Sequence, residues 1–166
     1  MRRVILFSLV LAALCVLLAL PAEAQPRSMT FTAGSSACIV DGQVYTLQQT
    51  PVIIDGYMLI PLRGLATALN ASLQWAPVQQ EATFTWQDGS RRFTATVNPG
   101  SDELALTNAP GPGLAAQFIQ QTKVDLGQPP LDLSGGLFLP LRPLGQALGY
   151  QVIWQPDTRS ATLTRE

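Results

Sequence analysis

After residue 36 the chain reads as short runs of alternating polar and apolar residues, each closed by a tight-turn pair. Ala37–Val40 and Gln43–Leu47 are β-prone runs joined by Asp41-Gly42, and Val52–Ile54 and Tyr57–Ile60 are joined by Asp55-Gly56. An Asp-Gly pair between such runs predicts a two-residue hairpin. At Pro61 the period changes. Leu62, Leu65, Ala66 and Leu69 fall at i, i+3, i+4 and i+7, which predicts one apolar stripe on a helix that Pro61 begins and Asn70 ends. The period of two then returns in Ser72–Trp75 and Glu81–Gln87, and Asp88-Gly89 opens a further hairpin into Arg91–Val97. Asn98–Gly113 is rich in Pro, Gly, Asn and Ser, with one short strand expected at Glu103–Leu106.

The same programme then runs a second time. Shifted by 79 residues, Ala37–Phe84 lies on Ala116–Leu163 without a gap, and 15 of the 48 pairs are identical. The identities sit at structural positions: Pro61-Leu62-Arg63 on Pro140-Leu141-Arg142, Trp75 and Pro77 on Trp154 and Pro156, Ala82-Thr83 on Ala161-Thr162. Strands are predicted near Gln117–Ile119, Lys123–Leu126, Leu131–Leu133, Leu137–Leu139, Gln151–Trp154 and Ser160–Thr164, with a helix from Pro140 to Leu148 and Gly149 as its cap. Strands, one helix, strands in each copy implies an α+β fold of two tandem units, each a small antiparallel sheet packed on one short helix. The expected organisation is a first unit at 37–97, a connector at 98–115 and a second unit at 116–166. A unit of about 50 residues is marginal alone, so the two are expected to pack together or share strands.

The N-terminal pattern differs. Arg2 and Arg3 precede an unbroken apolar run from Val4 to Leu20, Pro21 breaks it, and Ala22-Glu23-Ala24 places small residues where a signal peptidase reads. We expect a signal peptide at 1–24, cut after Ala24, with a short linker at 25–36; an uncleaved anchor is the alternative. Cleavage gives a secreted or periplasmic, envelope-located chain, not held in the membrane. Cys15 departs with the leader, which leaves Cys38 without an intramolecular partner. Its expected role is a small buried residue.

Charge narrows the partners. Of 10 basic and 11 acidic residues, the leader removes Arg2, Arg3 and Glu23, for a net charge of −2. Nucleic acid requires a clustered basic face and is not expected.

The pattern of strand, Asp-Gly turn, apolar strand, Pro-Leu-Arg, short Leu/Ala helix, small cap and Val/Leu-x-Trp stands here as DGYMLIPLRGLATALNASLQW and GGLFLPLRPLGQALGYQVIW. It resembles the copper amine oxidase N-terminal-like, or stalk, domain, in two copies covering Ala37 to Thr164. Ser134-Gly135 replaces Asp-Gly in the second copy, and Ala76 and Gln155 stand where the family carries an acid after the Trp. The resemblance implies a spacer or binding module of exported bacterial proteins, apart from any oxidase active site. The chemistry in the name does not carry over. A copper site of that class needs histidine ligands, and the chain has no His. Its quinone arises from a Tyr after Asn, whereas Tyr45, Tyr57 and Tyr150 follow Val44, Gly56 and Gly149.

Without His, the usual Ser-His-Asp and Cys-His arrangements and most zinc and copper sites are excluded. Asp55 and Asp132 lie in or beside turns, where Asp caps its own backbone. No catalytic residue, cofactor or metal is therefore expected. The candidate ligand contacts are Arg63 and Arg142, repeated on the helices and able to fork onto an anion, and Trp86, which has no counterpart in the second copy. A structural role competes in each case, and Trp75 and Trp154 are expected to anchor the core. The function expected is a non-catalytic envelope module contacting cell-wall polysaccharide or an exported partner protein; the alternative is an accessory or inhibitor-like protein of an exported hydrolase.

Overall fold

The computed structural model describes residues 25–110 and 119–166. The leader lies outside them, as does most of the strand expected at Gln117–Ile119. Fourteen strands and two helices are described, and no helix among the described residues is long and apolar enough to cross a membrane.

The expected turns form with the backbone their residues suit. Asp41-Gly42, Asp55-Gly56 and Ser134-Gly135 all have positive φ at both positions, the primed geometry that matches the twist of a hairpin. They close β2 (Ala37–Val40) on β3 (Gln43–Thr46), β4 (Val52–Ile54) on β5 (Tyr57–Pro61), and β11 (Leu131–Leu133) on β12 (Gly136–Pro140). Helix α1 is Leu62–Ala68 and α2 is Leu141–Ala147. Pro61 and Pro140 stay extended, each the last residue of a strand and the N-cap of a helix. Each helix ends in a left-handed residue, Asn70 at φ 49° and Gly149 at φ 85°. Asn70 N–H donates to Thr67 O and Ala71 N–H to Ala66 O; Gly149 to Gln146 O and Tyr150 to Gly145 O repeat the pattern. That is a Schellman end, twice.

The remaining strands are β1 (Ser28–Thr32), β6 (Ser72–Ala76), β7 (Glu81–Asp88), β8 (Arg91–Val97), β9 (Glu103–Pro110), β10 (Gln120–Asp125), β13 (Gln151–Gln155) and β14 (Ser160–Thr164). They assemble into three antiparallel sheets. Sheet one runs β13-β14-β1-β2-β3, sheet two runs β10-β9-β8-β7-β6, and the four-stranded sheet runs β11-β12-β5-β4.

This corrects the α+β reading. The protein is mostly β, 54% strand against 10% helix, and no sheet-on-helix unit exists for either copy. Each sheet takes strands from both. In the four-stranded sheet β5 of the first copy pairs with β12 of the second, with Leu139 opposite Ile60. Those two residues occupy the same position in their copies, so a pseudo-two-fold axis passes between them. Sheet one joins β13 and β14 of the second copy to β1, β2 and β3, while sheet two joins β6 and β7 of the first to β8, β9 and β10. Registers match across this exchange: Thr30 pairs with Thr162 in sheet one, and Thr96 with Thr83 in sheet two. Even the hydroxyl contacts repeat, Thr30 Oγ1 to Thr162 Oγ1 at 3.1 Å and Thr83 Oγ1 to Thr96 Oγ1 at 3.3 Å.

The physical reason is core size. A seven-residue helix presents only about two turns of apolar surface, too little to cover a sheet by itself. Sharing strands instead produces one core, in which Met29 and Phe31 of sheet one, Phe84 and Val97 of sheet two, and Ile60 and Leu139 of the four-stranded sheet belong to a single cluster with Leu65 and Leu144 of the helices. Each helix also touches the other copy's central strand, α1 against β12 and α2 against β5.

Candidate functional site

A depression of about 260 Å³ opens where β4 and β5 of the first copy meet α2, β13 and β14 of the second. Its walls are Ile53, Tyr57, Met58, Pro143, Val152 and Trp154, with Arg142 among the lining residues. The sequence builds it directly. Pro140, at φ −59° and ψ 118°, turns the chain from β12 into α2, so that Arg142 stands exposed on the first turn. Pro143 is tolerated beside it because the first turn of a helix does not use its N–H groups. Alternation along β13 puts Val152 and Trp154 on one face.

None of the lining residues is a carboxylate, thiol or imidazole. The cleft offers apolar contact, the aromatic rings of Tyr57 and Trp154, and one guanidinium that makes no ion pair among the described residues. Such a set can hold an apolar or flat group and meet an anion beside it.

Arg63, at the equivalent helix position, lines a different depression of about 140 Å³ with Cys38, Tyr45, Gln49 and Thr67. The Cys38 thiol there is 1% exposed, and burial pushes its pKa up. Trp86 is 5% exposed, stacked between Phe84 and Phe93 with ring centroids at 5.3 and 5.2 Å. Its rings serve packing. The tryptophans expected to anchor the core diverge: Trp154 packs partly against it, while Trp75 is 49% exposed. The structure therefore brings together Arg142 and Trp154 and leaves Arg63, Trp75 and Trp86 in three other places.

Sequence reasoning passed over Ile53, Tyr57 and Pro143. The copies differ at these positions, where Asp132, Gly136 and Gly64 stand in their places, but they differ at most aligned positions, so the sequence did not single these out. Among the described residues no group of three or more His, Cys, Asp or Glu is placed to hold a metal ion.

Residues 23–110 and 118–166 match the copper amine oxidase N-terminal domain family. The chain belongs to that family. No curated protein and no solved structure matches it. The copper amine oxidase N-terminal domain is a non-catalytic, stalk-type domain. In this chain the family match extends across both halves, and the cleft lies between strands of one half and the helix of the other.

Proposed function

We propose that this copper amine oxidase N-terminal domain is an exported, non-catalytic module of the bacterial cell envelope that holds a cell-wall polymer or an exported partner protein. Its leader, Arg2-Arg3 followed by the apolar run to Leu20 and the Ala22-Glu23-Ala24 site, supports export with a mature end at Gln25. One observation carries the binding role: the cleft of Tyr57, Trp154 and Arg142, assembled from both copies, offers aromatic rings and a guanidinium and is lined by no carboxylate, thiol or imidazole.

The test is retention. Purified chain starting at Gln25 is incubated with isolated cell wall and, separately, immobilised against periplasmic extract, in parallel with Arg142→Ala and Trp154→Ala. Retention on wall polymer that both substitutions weaken supports a polymer-binding module. Capture of a single exported hydrolase, weakened in the same way, supports the accessory role. Wild type and both variants behaving alike in the two assays overturns the cleft as the binding site. Mass analysis of the exported protein checks the leader, and a mature species retaining residues 1–24 contradicts cleavage.

A further inference from the structure

The two five-stranded sheets occupy equivalent places about the pseudo-two-fold axis, so each is a control for the other. Across sheet one, Ile153, Thr162, Thr30, Ile39 and Val44 pair in one continuous row. The equivalent row of sheet two is Gln74, Thr83, Thr96, Ala105 and Lys123. The central threonines are kept, and the flanks differ. Sheet one exposes Ile153, Ile39 and Val44 at 51, 44 and 69%. None of its five strands contains a charged residue.

The difference is sharpest at the equivalent edges β3 and β10, the other terminal strands being β13 and β6. Leu47 N–H donates to Ser36 O at 2.7 Å, and in sheet two Leu126 N–H donates to Asp102 O at 2.7 Å. By the alternation of an antiparallel ladder, Gln43, Tyr45 and Leu47 turn their backbone groups toward β2, and Val44 and Thr46 turn theirs outward. In β10 the outward residues are Gln121, Lys123 and Asp125. Lys123 is ion-paired to Glu103 at 2.7 Å. Charge on an edge, Lys above all, is how a sheet resists pairing with another chain. Edge β10 has that protection, and β3, exposed at every residue, does not.

We infer that β3 pairs antiparallel with β3 of a second copy of this chain, about a two-fold axis at Val44. The register follows from the edge itself. Centring on Val44 sets it opposite its own copy, satisfies its outward N–H and C=O, and continues the apolar row from Ile39 through both valines. Uncharged strands meet without repulsion, whereas the same operation on β10 sets Lys123 against Lys123, which is destabilising.

Sedimentation velocity of the chain from Gln25 over a micromolar concentration series tests the pairing. Wild type is expected to show a dimer that grows with concentration. Val44→Lys, which installs the residue of the equivalent edge, should weaken association at least tenfold with an unchanged melting temperature. Val44→Cys adds a positional readout. Facing residues of a hydrogen-bonded pair have Cα atoms about 5.5 Å apart, within disulfide range, so mild oxidation should cross-link the variant, while Ile153→Cys, at the far edge of the sheet, should associate like wild type without cross-linking. A wild type that remains monomeric at the highest concentration overturns the inference. So does association that Val44→Lys leaves intact, or a dimer that Val44→Cys fails to cross-link.

Discussion

Arg165 closes on Asp88 as a fork, with Nη1 2.8 Å from Oδ2 and Nη2 2.9 Å from Oδ1. Asp88 ends β7 in the first half and Arg165 follows β14 in the second, so the pair ties the last described residues to sheet two. The same guanidinium lies 5.5 Å from the centre of the Tyr150 ring, whose hydroxyl donates to Pro26 O at 2.8 Å. Gln25 Nε2 donates to Gln87 O at 2.7 Å. Both ends of the described chain are thus fastened at one place.

The fork makes stability depend on acid. Its hydrogen bond from Arg165 is the main cause of a lowered Asp88 pKa. The unfolded carboxyl titrates near 3.9, so the stabilisation is complete above roughly pH 4 and is lost as pH falls through the folded value. Asp88→Asn should cost about 1 kcal/mol at neutral pH, a figure kept small for a partly solvated pair. Urea unfolding at stepped pH checks it: the gap between wild type and variant should close in acid, and a gap that stays constant contradicts the assignment.

Tyr150 makes the opposite prediction in base. Burial is the first cause that raises its pKa to about 12. The unfolded phenol titrates near 10, so its contribution is intact below about pH 10 and is lost as pH rises toward the folded value. Tyr150→Phe removes the bond to Pro26 O and should cost about 1 kcal/mol, with a shallower loss of stability above pH 10. Thermal melts across that range read both effects.

If the halves share one core, they unfold together. Leu139→Ala, at the pseudo-two-fold axis, should cost about 2–5 kcal/mol and shift a single transition. Trp fluorescence and far-ultraviolet circular dichroism should give coincident urea curves for wild type and variant. Two separated transitions, or a folded fragment ending after β7, would show that the halves stand alone.

Position 149 tests the helix end. Gly149 sits at φ 85°, and Asn70 holds the equivalent place at φ 49°. Gly149→Asn should therefore be close to neutral, whereas Gly149→Val forces a branched side chain into the left-handed region at a cost of about 1–2 kcal/mol. Equal melting temperatures for the two variants would count against this account.

Local features were legible in the sequence because local chemistry sets them. The Asp-Gly turns, the left-handed caps at Asn70 and Gly149, and the strands that flank them follow from neighbouring residues. Pairing between hairpins does not. Nothing beside Ile60 in the sequence says that it faces Leu139: the small size of each copy implies that the two pack together or share strands, but not which strands meet. The equivalence of the two halves ends at one place. Residues 116–119 align with β2, yet β9 takes that place in sheet two, because the connection from β9 to β10 is longer than the two-residue turn from β2 to β3. Of the residues singled out for binding, Arg142 reaches the cleft through its helix position, while its other walls come from strands whose adjacency is a tertiary fact.

Strand β1 lies between β14 and β2, with Ser28 directly opposite Thr164. A load pulling residues 28 and 164 apart would open their ladder like a zip, rung by rung, where a sheared ladder would resist with all rungs at once. The fold is mechanically suited to hang from one end as a pendant, and poorly suited to carry tension as a link within a longer chain.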